Sequence, residues 1–250
     1  MTPEHIYTTI NVIITFVFGT IFGSFASLAS HRMPEGEDIV VKSSYCPRCK
    51  HPLSVKDLFP VLSWLISRGK CRYCGGKISI KYLLIELVLG ALFVLIYLKK
   101  GFWVDAPVLY ALAVCLVIIS VTDIERLVIP DFMQISIAMM GIYYSYITYR
   151  HWLSVVSAVV AALILGLILY YGCKLLLKKE GFSLRYVKLL AVIGFYLNIR
   201  ACVPFLLYSG VFSLIIFIIY FKFGKGRKLP LAPALALSLM LGLLFPHFPN

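Results

Sequence analysis

Charged side chains are scarce in this chain, and acidic ones are the scarcest, with 11 Asp and Glu among 250 residues. Charged residues make up 14% of the sequence and hydrophobic residues 61%, whereas soluble domains average about 25% and about 45–50%. This shortage excludes an ordinary soluble domain. The sequence therefore predicts an all-α polytopic membrane protein that is embedded in a lipid bilayer.

We expect no cleavable signal peptide, because residues 1–10 carry no basic stretch and the first apolar run is long enough to span. About eight transmembrane helices are predicted, each near the ~20 residues that a bilayer requires. The sixth and seventh are punctuated by Arg200 and Pro204, so one broken span plus a re-entrant piece is an alternative. The approximate bounds of the eight are 7–29, 82–98, 107–124, 131–149, 152–176, 187–203, 204–221 and 229–247.

Lys and Arg are distributed unevenly among the connections, and 20 of the 24 fall on one side of the predicted topology. Cytoplasmic connections carry such an excess in membrane proteins. We therefore attribute the net charge of +13 to the basic residues that orient the chain in the membrane, and we expect no nucleic-acid partner. Both termini are predicted to lie outside. The connections predicted to be cytoplasmic are 30–81, 123–130, 177–187 and 222–228.

Four of the seven cysteines lie in the first connection, as two C-x2-C pairs separated by 21 residues. This spacing is typical of a four-thiolate Zn²⁺ site. Two disulfides are the alternative, which a reducing cytoplasm disfavours. Four protein ligands close the coordination shell, so the predicted role of the metal is structural. The predicted ligands are Cys46, Cys49, Cys71 and Cys74.

Three carboxylates lie close to the predicted hydrocarbon region, where such groups are costly and mark functional sites. Asp123 ends a predicted span, where the helix dipole opposes a negative charge; it is either a catalytic carboxyl or a polar group facing lipid headgroups. Asp131 follows Pro130 at the start of a helix and is predicted to cap or orient it. Glu86, inside the second span, is either a buried hydrogen-bonded acid or a substrate contact.

Several motifs together resemble those of the type IV prepilin peptidases, the membrane aspartyl proteases of type IV pilus and type II secretion systems. The resemblance covers nearly the whole chain, and its most specific parts are the cysteine pairs and the spacing from Asp123 to Ile129-Pro130-Asp131. The other matching stretches are Gly23-Ser24-Phe25, Arg32-Met33-Pro34, Phe59 to Trp64, Arg68 to Cys71, Tyr82 to Leu87 and Leu229 to Pro233.

The resemblance implies a function at the cytoplasmic face of the bacterial inner membrane. Members of that family cut a basic leader from prepilin or pseudopilin precursors, and many then N-methylate the new terminus with S-adenosylmethionine. It implies that Asp123 is the first of two catalytic aspartates. It also implies three parts of the chain: a first transmembrane helix (1–29), a zinc-binding loop domain (30–81) and a peptidase bundle (82–250). The sequence has no G-x-G-x-x-G fingerprint that would indicate a site for the methyl donor.

The position of the second aspartate departs from the family pattern. The family has G-x-G-D ahead of a helix start that is matched here by Val187 to Ala191 and includes Lys188, a possible substrate or orienting residue. This chain has Ser183-Leu184-Arg185-Tyr186 instead, so Tyr186 stands where the acid is expected. A phenol stays protonated near neutral pH and cannot replace a carboxylate as general base.

Three explanations stay open at this stage. The chain is a non-cleaving relative that still binds or methylates pilins, or it is an altered version of an active enzyme. Alternatively, Glu180, Glu125 or Asp131 supplies the second carboxyl by another route. A rival function of a different class is a pilin-binding membrane scaffold that uses the zinc loop as a docking surface.

Overall fold

A computed structural model describes residues 3–39, 44–149, 151–177, 182–222 and 229–245 of the chain. Within these ranges the protein is helical, without extended strands, which confirms the predicted all-α class. The chain divides into two compact units, residues 1–118 and 119–250. The helices are α1 (Pro3–Arg32), α2 (Leu62–Ile66), α3 (Ile80–Lys100), α4 (Ala106–Arg126), α5 (Asp131–Thr148), α6 (Trp152–Leu177), α7 (Leu184–Ile193), α8 (Cys202–Lys222) and α9 (Ala232–Leu244).

Five helices in the described part, α1, α3, α4, α6 and α8, are long and apolar enough to cross a membrane. The predicted count of eight spans is not confirmed. Helix α9 has 13 residues and is about 20 Å long, which is shorter than a hydrocarbon core of about 30 Å. Helix α5 has 18 residues and is about 27 Å long, which is close to that thickness, but it is not one of the five helices named above.

The predicted sixth span, 187–203, is not a continuous helix. Helix α7 ends before Gly194, and two short 3-10 turns follow it, Gly194–Tyr196 and Ile199–Ala201. The side chain of Asn198 caps the second turn by accepting a hydrogen bond from the Ala201 N–H. The buried hydroxyl of Tyr196 donates to the carbonyl of Ile137 in α5. These side-chain hydrogen bonds stabilise a turn where the helix ends. The chain therefore turns within an apolar segment.

Helices α1 and α3 form the main pair of the first unit and approach each other at glycines. A Cβ placed on Gly19 would lie 2.7 Å from the Gly90 Cα, and one on Gly23 would lie 2.5 Å from the Glu86 Cα. Gly19 and Gly23 are small residues four positions apart, a spacing that lets two helix backbones approach closely. In the second unit, α7 packs against α5 and α6, and α8 packs against α9.

Candidate functional site

The two cysteine pairs adopt the same backbone shape. The Lys50 N–H donates to the carbonyl of Cys46, and the Gly75 N–H donates to the carbonyl of Cys71. Both donors have positive φ, 59° at Lys50 and 65° at Gly75, so each chain bends sharply after its second cysteine. Isolated antiparallel bridges close the two turns, between Tyr45 and Pro52 and between Lys70 and Lys77.

The two turns bring all four predicted ligands together. The sulfur atoms of Cys46, Cys49, Cys71 and Cys74 lie within 4.8 Å of one another, and the Cys46 and Cys74 sulfurs are 4.0 Å apart. A tetrahedral zinc ion with Zn–S bonds of about 2.3 Å separates its sulfurs by about 3.8 Å. The cluster can therefore hold a metal ion, and the donor set and spacing fit zinc.

Backbone groups already favour a thiolate in this cluster. The backbone N–H of Cys49, with a smaller contribution from that of Arg48, lowers the pKa of the Cys46 thiol to about 6. At Cys74 the Gly76 N–H acts in the same direction, but partial desolvation and the neighbouring thiols raise the pKa to about 11. Adjacent negative charges disfavour one another, so a bound divalent cation is what would let all four sulfurs ionise.

Glu86 joins the cysteine-bearing connection to the helices. Its buried carboxylate accepts a hydrogen bond of 2.7 Å from the Val61 N–H. Val61 has a φ of 62°, which is uncommon for a β-branched residue, and α2 starts directly after it. Of the two predicted roles for Glu86, this geometry supports the buried, hydrogen-bonded acid. Glu86 also lines a cavity of about 400 Å³ that extends to Cys46 and Cys71.

Asp123 lies in the last turn of α4 and is fully buried. Its two carboxylate oxygens lie 2.9 Å and 3.1 Å from the Tyr186 hydroxyl, and one of them accepts the Ala232 N–H at 3.0 Å. Because Ala232 is the first residue of α9, the positive end of that helix dipole faces the carboxylate. The dipole of α9 thus stabilises the negative charge of Asp123 and offsets the destabilising effect of the α4 dipole, whose negative end lies at Asp123.

Arg185 supplies the opposite charge to Asp123. Its Nε lies 3.6 Å from an Asp123 oxygen, and the guanidinium donates to the Tyr186 hydroxyl at 3.0 Å and to the Leu127 carbonyl. The guanidinium carbon also lies 4.6 Å from the centroid of the Tyr186 ring. Asp123, Arg185 and Tyr186 therefore form one ion-paired and hydrogen-bonded group, which we call the Asp123 cluster.

Within the described ranges, the groups that contact the Asp123 carboxylate are a phenol, a guanidinium and a backbone N–H, and none is a carboxyl group. Glu125 is exposed, and the exposed carboxylate of Asp131 pairs instead with Lys188 at 2.8 Å. Glu180, the other acid considered as a substitute, lies outside the described residues. The structure thus brings Tyr186, and not Glu125 or Asp131, to Asp123.

Sequence reasoning missed two partners of Asp123, the Arg185 guanidinium and the Ala232 N–H. Arg185 was noted only as a residue in a glycine position. The Ala232 contact had one usable signal, because Pro233 follows Ala232 and proline is favoured in the first turn of a helix. That signal marks where a helix starts but not which carboxylate its N-terminus meets.

Two family models match the chain. Residues 17–100 match the bacterial peptidase A24 N-terminal domain, and residues 110–218 match the type IV leader peptidase family. The first match contains the cysteine cluster and Glu86, and the second contains the Asp123 cluster. No solved structure matches.

Curated relatives match over nearly the full length. The prepilin leader peptidase/N-methyltransferase of Aeromonas hydrophila is 30% identical, with 93% of this chain and 90% of the relative covered. The protein of the same name from Bacillus subtilis is 30% identical, with 93% of each covered. A third, from Vibrio cholerae, is 27% identical, with 95% of this chain and 96% of the relative covered.

Proposed function

Because the chain belongs to the type IV leader peptidase family, we propose that it processes prepilin or pseudopilin precursors in the bacterial inner membrane. Both named activities of its relatives, leader removal and N-methylation, are included in this proposal. The five long apolar helices fit a multi-pass protein. The excess of basic residues in four connections supports a cytoplasmic position for the cysteine cluster and for the turn after Asp123.

We assign leader cleavage to Asp123. An aspartyl peptidase needs one carboxylate to activate water and another group to donate a proton to the leaving amine. Asp123 is supported as the first of these by its complete burial and by the Ala232 N–H, which holds one oxygen in place. Asp131, Lys188 and Glu86 are then orienting or packing groups, since each is occupied by an ion pair or a hydrogen bond.

One observation favours a second candidate, a relative that binds the pilin helix without cutting it. The Tyr186 hydroxyl occupies both oxygens of Asp123, and Arg185 neutralises the carboxylate. An attacking water would have to displace the phenol, and the phenol cannot serve as the second carboxyl. In this reading the chain is a membrane scaffold for pilins, and any remaining activity is methylation.

The test is a leader-cleavage assay on a prepilin precursor in lipid, comparing this chain with its Arg185→Gly/Tyr186→Asp double variant. Cleavage by the double variant alone, abolished again by Asp123→Asn, means that an intact peptidase is blocked at one position. Cleavage by the unaltered chain, abolished by Asp123→Asn, supports the peptidase proposal and means that a second carboxyl other than one at position 186 acts with Asp123; cleavage that survives Asp123→Asn means that our assignment of Asp123 is wrong. If neither chain cuts but both co-purify with the precursor, the scaffold reading stands.

N-methylation requires S-adenosylmethionine, which supplies the methyl group when bound. The chain has no G-x-G-x-x-G fingerprint, and no contact among the described residues identifies a donor site. We therefore assign no residue to the methyl donor and derive no step through it. A methyl-transfer assay on a precursor that has already been cleaved measures this activity independently of Asp123.

For the cysteine cluster we propose zinc in a structural role, held by Cys46, Cys49, Cys71 and Cys74. The metal would fold the proposed 30–81 loop domain, which follows the helix of 1–29 and precedes the bundle of 82–250 in the chain and whose described part has few buried apolar side chains. The purified chain should contain about one zinc ion per molecule, as measured by elemental analysis. Cys49→Ser should remove most of it and the distant Cys115→Ser should not, and equal zinc in both variants would contradict the assignment.

A further inference from the structure

The connection between α1 and α3 exposes several large apolar side chains. Ile66 is 76% exposed and Val55 is 83% exposed, and about half of each of Phe59, Leu62 and Leu65 is exposed. Leu62, Leu65 and Ile66 share one face of α2 because helical residues three and four apart are neighbours. We call these five side chains the apolar face. Large apolar side chains that are exposed this close together in the chain indicate an interaction site.

One hydrogen bond fixes the position along α3 at which α2, and with it the apolar face, begins. The Val61 N–H, at the start of α2, donates to Glu86 at 2.7 Å. Glu86 is the seventh residue of α3, and six rises along a helix amount to about 9 Å. Since α3 is long and apolar enough to cross a membrane, α2 begins alongside the outer part of a span and not beyond its end.

Helix α1 meets α3 at the same level. A Cβ on Gly23 would lie 2.5 Å from the Glu86 Cα, so α1, α3 and the start of α2 converge at this point. Amphipathic segments that lie in a membrane surface bury their apolar side about 5–10 Å into the boundary between headgroups and acyl chains. The depth of α2 along α3 falls within that range.

Basic side chains flank the apolar face. Lys56 lies next to Val55, and Arg68 and Lys70 follow α2, all three exposed. Basic residues near a membrane surface are attracted to anionic lipid headgroups, and their long stems let the charge reach the headgroups from below. Apolar side chains with basic residues beside them are the composition of an interfacial segment.

We propose that residues 55–66 insert into the bilayer surface at the membrane face where α1 ends and α3 begins. The acyl chains cover Leu62, Leu65 and Ile66, and the headgroup phosphates bind Lys56 and Arg68. The lipid is that of the bilayer crossed by α1 and α3, because α2 begins where these two helices meet. This inference needs only that these two helices span the membrane, so it stands or falls separately from prepilin processing.

The test places a tryptophan on the apolar face of the full chain in vesicles of phosphatidylethanolamine and phosphatidylglycerol. The three native tryptophans, Trp64, Trp103 and Trp152, are changed to Phe, and Ile66→Trp provides the reporter. The control reporter is His51→Trp, at an exposed position of the first cysteine turn where an aromatic ring can still stack on Tyr73. Size-exclusion elution and circular dichroism verify that each variant is folded, and Leu65→Trp replaces Ile66→Trp if it is not.

Brominated lipids should quench the Ile66→Trp emission by about half or more, as expected for a side chain within about 5–10 Å of the boundary, and should leave the His51→Trp emission nearly unchanged. Lipids brominated near the headgroup should quench more than those brominated near the chain end. Quenching of both reporters by aqueous iodide, with no effect of brominated lipid, would overturn the proposal. A reporter at Ile66 that neither quencher reaches would also overturn it, because protein and not lipid would then cover the face.

Discussion

Substituting Gly23 with alanine tests how the first unit is held together. The added Cβ would lie 2.5 Å from the Glu86 Cα and 3.2 Å from both the Glu86 nitrogen and the Ile85 carbonyl oxygen. These are backbone atoms of α3, which cannot rotate out of the way as a side chain can. The two helices must therefore move apart.

The size of the effect follows from that distance. Carbon atoms in contact are about 3.5–4.0 Å apart, so α1 and α3 must separate by about 1 Å or more at this level. Overpacking of this kind costs typically about 1–3 kcal/mol, and membrane helices depend on close packing for their association.

The assay is unfolding in mixed micelles of mild detergent and dodecyl sulfate, followed by circular dichroism. The matched control is Gly210→Ala in α8, where an added Cβ would meet nothing within 4 Å. Alanine there should be neutral or stabilising by about 0.5–1 kcal/mol, because glycine is costly inside a helix. Equal free energies of unfolding for the two variants would refute the argument that the Gly23 contact is a packing constraint.

Two further predictions concern charged groups outside the five long apolar helices. Hydrogen bonds from the Ser54 hydroxyl and backbone, with the charge of Arg72, lower the pKa of Asp57 below its ordinary value of 3.8. A carboxyl group whose pKa is lower in the folded state than in the unfolded state stabilises the fold at pH values above the unfolded-state pKa. This stabilisation is lost as the pH falls through the folded-state pKa. Asp57→Asn should therefore reduce the free energy of unfolding at pH 7, and this effect should disappear as the pH falls through the lowered folded pKa; an effect that persists in acid would contradict this. Asp131 and Lys188 are 70% and 59% exposed, so Asp131→Asn should change stability by less than about 1 kcal/mol, and a loss well above that value would mean that the pair is more than a surface ion pair.

The sequence predicted the long helices well because an apolar run of membrane length allows few alternatives. Helices α3, α4, α5 and α6 lie within a few residues of their predicted bounds. The segment 187–203 was predicted as one span, with a broken span as the alternative, and the structure shows the break. The position of the turn was not predictable, because it depends on the tertiary hydrogen bond from Tyr196 to α5 and on the Asn198 cap. Hydropathy does not record such bonds.

The same distinction applies to the two sites. The cysteine cluster was predictable because its ligands come in pairs at a fixed local spacing, and each pair folds as its own turn. The Asp123 cluster was only half predictable, since Arg185 and Tyr186 reach Asp123 from 62 and 63 residues away. The Ala232 N–H is a backbone donor, and a backbone donor carries no side-chain signature.

The hydrogen bond from Ala232 to Asp123 joins residues 109 positions apart, and this separation has a consequence for biosynthesis. Ribosomes add about 5–20 residues per second, so Ala232 is made about 5–20 s after Asp123 at that rate. Throughout that interval α4 carries a carboxylate whose helix-terminal donor does not yet exist. The contacts of Asp123 are thus completed only after α9 has been made, and a nascent chain released before α9 would carry an acid without its backbone partner.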